Sequence, residues 1–167
     1  MERACLTAAD GGANLLIIRT LLIALLFIGC SSQNTTLPYP LTISEEGLGA
    51  IHPDTPFNQI TTSLSGFTFE KLSQISSDQS NTILQMKRGD SPIAQIVSDP
   101  SGKKISAIYI LSSQIKTKNN LGLGDPLPQT ESLKCLNNLC QNTDEPSIRY
   151  QIDPKTRTIR EITFQKL

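Results

Sequence analysis

The chain has 167 residues, and its 15 Lys and Arg are balanced by 15 Asp and Glu, so the formal charge is zero. A chain without excess charge offers no strong field to draw in nucleic acid. With 38% hydrophobic residues it can bury one core, while the length leaves too little material for two full domains.

In chain order, the first signal is an apolar run from Leu21 to Gly29 that ends directly at Cys30, with Arg19 ahead of it and Ser31-Ser32-Gln33-Asn34 behind. A secretion segment needs a basic flank, a short hydrophobic stretch and a small residue before the cut. Gly29 supplies the small residue and Cys30 the thiol that accepts lipid in a bacterial lipoprotein. The run is too short for an ordinary spanning helix. Phe27 stands three before the cysteine, where Leu is usual, and the segment from Met1 to Asn14 is long and weakly basic for a leader, which suggests a later translation start. Cys5 would be removed with that leader. The expected organisation is a signal peptide over 1–29, a lipidated tether over 30–40 and a periplasmic domain over 41–167. Ser31, rather than Asp, after the lipidated cysteine points to sorting to the outer membrane.

Leu41-Thr42-Ile43 reads as a short strand. Gly47-Leu48-Gly49 comes next, and then Asp54 or Thr55 can cap a helix that accepts Pro56 in its first turn, where no intrahelical N–H bond is lost. Phe57, Ile60, Thr61 and Leu64 would share one face of that helix, which Gly66 ends. Strands are expected over Thr68 to Ile75, Thr82 to Lys87, Ile93 to Val97 and Ile105 to Leu111, separated by segments rich in Gly, Pro, Asp and Ser. In the last of these, Ile105, Ala107, Tyr109 and Leu111 alternate with Ser106, Ile108 and Ile110. Two largely apolar faces imply a central strand with a helix over one side.

Gly122-Leu123-Gly124-Asp125-Pro126 echoes Gly47-Leu48-Gly49 and Thr55-Pro56. The echo predicts a second capped helix beginning at Pro126, with Leu133 and Leu136 as its apolar contact. Ser147 to Ile152 and Thr158 to Phe164 read as closing strands. The expected fold is therefore a single two-layer α+β domain, an antiparallel-rich sheet of five to seven strands with two short helices on one face. Phe57, Ile60, Leu64, Leu133 and Leu136 would face Ile105, Ala107, Tyr109 and Ile162. The uncovered face of the sheet would be the place for a partner.

Cys135 and Cys140 are the cysteines left once Cys30 is lipidated. Their spacing does not suit a thioredoxin-type dithiol, and no second pair or nearby histidines complete a zinc site, so an oxidising compartment favours a disulfide, with free thiols or metal work as the other readings. His52, the one histidine, sits in a loop without a nucleophile elbow. Glu45 and Glu46 are adjacent, and neighbours on a strand point to opposite faces, which does not suit a glycosidase pair. The two Gly-Leu-Gly segments lack the surroundings of a nucleotide fingerprint. No cofactor and no metal are expected.

From Arg19 onward, the lipidated Cys30, the Leu41-Thr42-Ile43-Ser44-Glu45-Glu46-Gly47-Leu48-Gly49 opening and the Asp54-Thr55-Pro56-Phe57 segment resemble the RpoE-regulated lipoprotein family. The resemblance extends to the Gly124-Asp125-Pro126-Leu127 turn, the cysteine pair and the closing Ile148-Arg149-Tyr150 and Ile159-Arg160-Glu161-Ile162 strands. This chain has a shorter region between its two cysteines than that family. The resemblance implies an envelope protein made in response to misfolded outer-membrane material, with no catalytic residues to transfer. The resulting expectation is a non-catalytic outer-membrane lipoprotein, held to the membrane by acyl chains, with an outer-membrane protein or peptidoglycan as partner. The rival is a cell-wall glycan hydrolase, or an inhibitor of one, built on convergent carboxylates among Glu45, Asp54, Asp99 and Asp125.

Overall fold

The computed structural model describes residues 41–72 and 81–166. The expected leader, Cys30 and the tether lie outside the described residues, as does the end of the strand expected over Thr68 to Ile75.

Eight strands form one antiparallel sheet: β3 (Thr68–Leu72), β4 (Ile83–Arg88), β5 (Ser91–Ser98), β6 (Ile105–Ile110), β8 (Leu133–Leu136), β9 (Leu139–Asn142), β10 (Glu145–Ile152) and β11 (Ile159–Gln165). Their spatial order is β3-β4-β5-β6-β11-β10-β9-β8. Two four-stranded meanders thus meet at their last strands, β6 beside β11, and β6 is central as its apolar faces require. A second, three-stranded sheet has the order β2-β1-β7, with β1 (Thr42–Ser44), β2 (Gly47–Leu48) and β7 (Lys116–Thr117). β1 pairs antiparallel with β2 and parallel with β7.

Strand alternation decides which face of the large sheet is covered. Met86, Ala94, Ile96, Ile108, Phe164, Ile162, Ile148 and Tyr150 are buried, while their chain neighbours on the opposite face are mostly polar. Over the buried face lie Leu41, Ile43 and Leu48 of the small sheet, Ile51, the helical segment and the loop residues Ile115 and Leu127, all in one hydrophobic cluster. Ile105 joins that cluster because a bulge pairs it with Ser98 instead of continuing the alternation of Ala107 and Tyr109. Ala107 and Tyr109 pair with Val97 and Gln95 on the other face, which corrects the expectation that they sit beneath the helix.

The expected sheet of five to seven strands with two helices is overturned. Eleven strands are present among the described residues, with a single short helical segment: a 3-10 turn, Phe57–Gln59, running into α1 (Ile60–Ser63). No side chain caps either helix start. Thr55 Oγ1 instead accepts the His52 N–H at 3.0 Å, and Asp54 pairs with Lys166. The segment is short because Leu64 is already extended and Gly66 takes a φ of 82°, a region that favours glycine. Phe57, Ile60 and Leu64 nonetheless fill the core as their spacing requires.

The second helix does not form. Pro126 and Pro128 push the residues before them out of helical backbone, and Leu127 N–H bonds to Arg157 O at 3.1 Å, tying this segment to the turn before β11. The β8–β9 hairpin occupies the place expected for the helix. Its two-residue turn is Asn137-Asn138, with Asn137 at φ 57°. Asn tolerates this left-handed backbone, so the pair suits a tight hairpin. Leu133 remains partly buried against the core, but Leu136 is 79% exposed.

The two Gly-Leu-Gly segments do different work. Gly47, at φ 104°, lies so close to Ile51 that a Cβ there would come within 2.1 Å of its carbonyl oxygen. That close approach lets Leu48 and Ile51 exchange backbone hydrogen bonds at 3.0 Å each way. Gly122 instead packs under the Lys116 side chain, and its N–H donates to Asp125 Oδ2 at 2.7 Å.

Candidate functional site

The face of the large sheet opposite the core carries mostly polar residues. The strand registers place one residue from every strand in a single row across it. From β3 inward the row runs Glu70, Gln85, Gln95 and Tyr109, and it continues from β11 outward with Thr163, Arg149, Gln141 and Lys134. Neighbouring strands stand about 4.8 Å apart, so the row spans roughly 34 Å. Its members are neutral amides and hydroxyls at the centre with charges towards the two edges. Tyr109, half-buried, lies in the middle. Glu161 accepts the Thr163 hydroxyl at 2.8 Å, and Gln141 donates to the Pro146 carbonyl. Glu70 pairs with Lys87 beside the row.

A second polar cluster lies at the seam where the small sheet meets the start of β10. Glu45 Oε1 accepts the Ser147 backbone N–H at 2.6 Å, Asn119 Nδ2 donates to Glu145 Oε2 at 3.2 Å, and Lys118 pairs with Glu46 at 3.1 Å. Glu145 is 6% exposed, and its Oε1 has no hydrogen-bond partner. Burial raises its pKa; Lys118 acts against this, while Glu45, Asp144 and Glu46 add to it. The Tyr150 hydroxyl is also buried without a partner of good geometry, and burial raises its pKa. The Lys118 ion pair and the Ser44 hydroxyl hold Glu46 below its ordinary value.

The carboxylates singled out in the sequence are not brought together as a catalytic pair. Each has its own local partner: Glu45 holds Ser147, and Asp54 pairs with Lys166 at 2.5 Å. Asp99 closes the β5–β6 turn, accepting from Ser101 Oγ at 2.8 Å, Lys103 N at 3.0 Å and Lys104 N at 3.2 Å. Asp125 accepts from Lys116 Nζ and Gly122 N, both at 2.7 Å. These donors hold Asp54, Asp99 and Asp125 below the ordinary carboxyl value. His52 is exposed, and its Nδ1 donates to the Glu46 carbonyl at 3.0 Å, which leaves the ring fixed to the loop. Among the described residues no group of three or more His, Cys, Asp and Glu is arranged to hold a metal ion.

Cys135 and Cys140 are joined by a disulfide, with Cα atoms 4.0 Å apart. They are direct partners in the β8–β9 ladder, so the bridge crosses a hairpin and does not pin the end of a helix. The signal in the sequence was Leu-Asn-Asn-Leu between the two cysteines, a tight-turn pair with matched flanks. Glu145 and Tyr150 were not singled out from the sequence, because their burial follows from the small sheet meeting β10, two elements far apart in the chain.

The fold is similar to that in the crystal structure of the uncharacterized protein YfeY from Escherichia coli. That likeness has a TM-score of 0.60 and 19% sequence identity, and it covers 75% of this chain and 99% of that one. At this identity the likeness concerns the fold alone. No protein-family model matches the chain, and no curated protein matches it. No helix among the described residues is long and apolar enough to cross a membrane.

Proposed function

We propose that this chain is a non-catalytic, lipid-anchored protein of the bacterial outer membrane that binds a partner with the uncovered face of its eight-stranded sheet. The observation that carries the reading is the division of the sheet into one face packed with aliphatic side chains and one crossed by a continuous polar row. Central sheet strands hold their side chains at fixed spacing, so such a row can meet a partner with little ordering cost. The separate engagement of Glu45, Asp54, Asp99 and Asp125 supports binding over glycan hydrolysis, which needs two carboxyl groups flanking one bond.

The anchor rests on Cys30 and its flanks, and the resemblance to RpoE-regulated lipoproteins supports a role in envelope stress, with an outer-membrane protein or peptidoglycan as partner. Fatty-acid labelling tests the anchor: the parent takes label and the Cys30→Ser variant does not, and equal labelling would contradict it. Affinity capture from outer membranes tests the face, comparing the parent with a variant carrying Gln95→Ala, Tyr109→Ala and Arg149→Ala. A specific component retained by the parent and lost from the variant supports the reading. Equal retention by both removes this face from it.

A further inference from the structure

The large hydrophobic side chains exposed among the described residues are Leu111, Leu136 and Leu139, at 40%, 79% and 49%. All three lie at one end of the large sheet. Leu136 and Leu139 pair across the β8–β9 turn, Leu139 stands opposite Gln151 near the end of β10, and Leu111 comes directly after β6, with its N–H still bonded to Ile93 O. We propose that this end of the sheet rests on an anionic phospholipid bilayer, with Leu136 and Leu139 inserted at the headgroup boundary.

The leucines cannot turn inward. Their chain neighbours Cys135 and Cys140 point to the opposite face, where Cys140 is fully buried and the disulfide locks the ladder one pair behind the turn. Folding therefore holds two apolar side chains out in solvent on a hairpin stiffened beside them.

Charge at the same end suits anionic headgroups. The β10–β11 turn presents Lys155 and Arg157, both exposed and neither in an ion pair among the described residues, and β11 opens with exposed Arg160. Lys134 lies exposed on β8. The acidic groups here are Asp90, Asp125, Asp153 and Glu161. Asp125 is paired with Lys116, and Asp153 is engaged by the Lys155 and Thr156 N–H groups and by Arg160 at 3.8 Å, while Glu161 accepts from Thr163. At the opposite end Lys118 and Lys166 are paired with Glu46 and Asp54, and Glu45, Asp144 and Glu145 gather around the seam, while Lys103 and Lys104 of the β5–β6 turn are exposed and in no ion pair among the described residues. Cations stand free at both ends, but only the leucine-tipped end joins them to exposed large hydrophobic side chains, and basic residues next to apolar side chains are the combination that binds anionic membrane surfaces.

Chain direction agrees. β1 and β7 run parallel, and both lead into the acidic seam: Glu45 comes after β1 to hold Ser147, and Asn119 comes after β7 to hold Glu145. Leu41, the first described residue, therefore lies on the side of the leucine-tipped end. This contact rests on the reading of Cys30 as a lipid anchor, because a tether of about ten residues reaches at most roughly 35 Å and keeps the domain beside the bilayer.

The chain contains no tryptophan, so one introduced indole reports its own surroundings. The full lipidated chain carrying Leu139→Trp, and separately Lys103→Trp in the exposed β5–β6 turn at the opposite end, are reconstituted into phosphatidylcholine vesicles with and without phosphatidylglycerol. Headgroup-proximal spin-labelled lipid is the quencher. The expected result is roughly twofold quenching at position 139, stronger with phosphatidylglycerol, and little at 103. Leu136→Trp provides the same readout should the first variant fold poorly. Vesicle flotation without preferential quenching at 139 or 136 overturns the proposal and leaves the anchor standing, whereas a chain that does not float overturns both. A blue shift at 139 that grows with protein concentration without vesicles assigns the tip to a second copy of the chain and overturns the membrane contact.

Discussion

Glu45 Oε1 receives the backbone N–H of Ser147 at 2.6 Å, from a residue 102 positions later in the chain. This contact fastens the turn after β1 to the start of β10 and so joins the small sheet to the large one. Ser147 is buried, so removing its acceptor leaves a desolvated donor. Glu45→Ala should cost about 1 to 3 kcal/mol, and Glu45→Gln, which keeps an acceptor oxygen, clearly less. Urea unfolding midpoints decide this, and equal losses for the two variants would show that the hydrogen bond does not hold the seam.

Phe57 and Leu136 should respond oppositely to truncation. Phe57 is 6% exposed and belongs to the core, so Phe57→Ala should destabilise by about 3 to 5 kcal/mol. Leu136→Ala should stay within about 0.5 kcal/mol of the parent, since its side chain already lies in solvent. A large loss at Leu136 would mean that its side chain is packed and not in solvent.

Stability should depend on pH through Glu145. Its carboxyl is raised above the ordinary 4.5 by burial, so the folded state holds the proton more tightly than the unfolded chain does. The stabilisation from that proton is complete below the unfolded value and is lost as pH rises through the folded one. Glu145→Gln removes the titration, so the stability of the variant minus that of the parent should grow as pH rises from 4.5 towards neutrality. Asp99, Asp125 and Asp153, all lowered by hydrogen-bond donors, work in the other direction and lose their contribution as pH falls below the ordinary 3.8. Thermal melts of both proteins across that range check the sign, and a constant difference would mean that Glu145 titrates normally.

Reducing the Cys135–Cys140 bridge should have a modest effect. The closed loop is short, so the entropy model gives about 2 kcal/mol, and the hairpin should remain because its strands are also paired through β9 to β10. Alkylation without reductant and then mass measurement should find no modified thiol at either position. Two modified thiols in freshly purified protein would contradict the bridge.

The strands of the large sheet were legible wherever they were long. Apolar alternation over Thr82 to Lys87, Ile93 to Val97, Ile105 to Leu111 and the two closing segments falls on β4, β5, β6, β10 and β11. The core face of the first helical segment was legible too, because Phe57, Ile60 and Leu64 are spaced to meet one surface whether the segment makes one turn or three. Only tertiary structure decided the rest. β1, β2 and β7 are two or three residues long, and the small sheet exists because β1 finds β7 far away in sequence. Capping chemistry at Pro126 was outweighed by Pro128, by the bond from Leu127 to Arg157 and by a ladder that places Cys135 opposite Cys140. The polar row is likewise invisible in one dimension, since Glu70, Gln85, Gln95, Tyr109, Thr163, Arg149, Gln141 and Lys134 share a line only after the registers between all eight strands are fixed. Local pattern sets which side of a strand is apolar; non-local pairing sets which strands stand beside one another, and the polar row is made by the second.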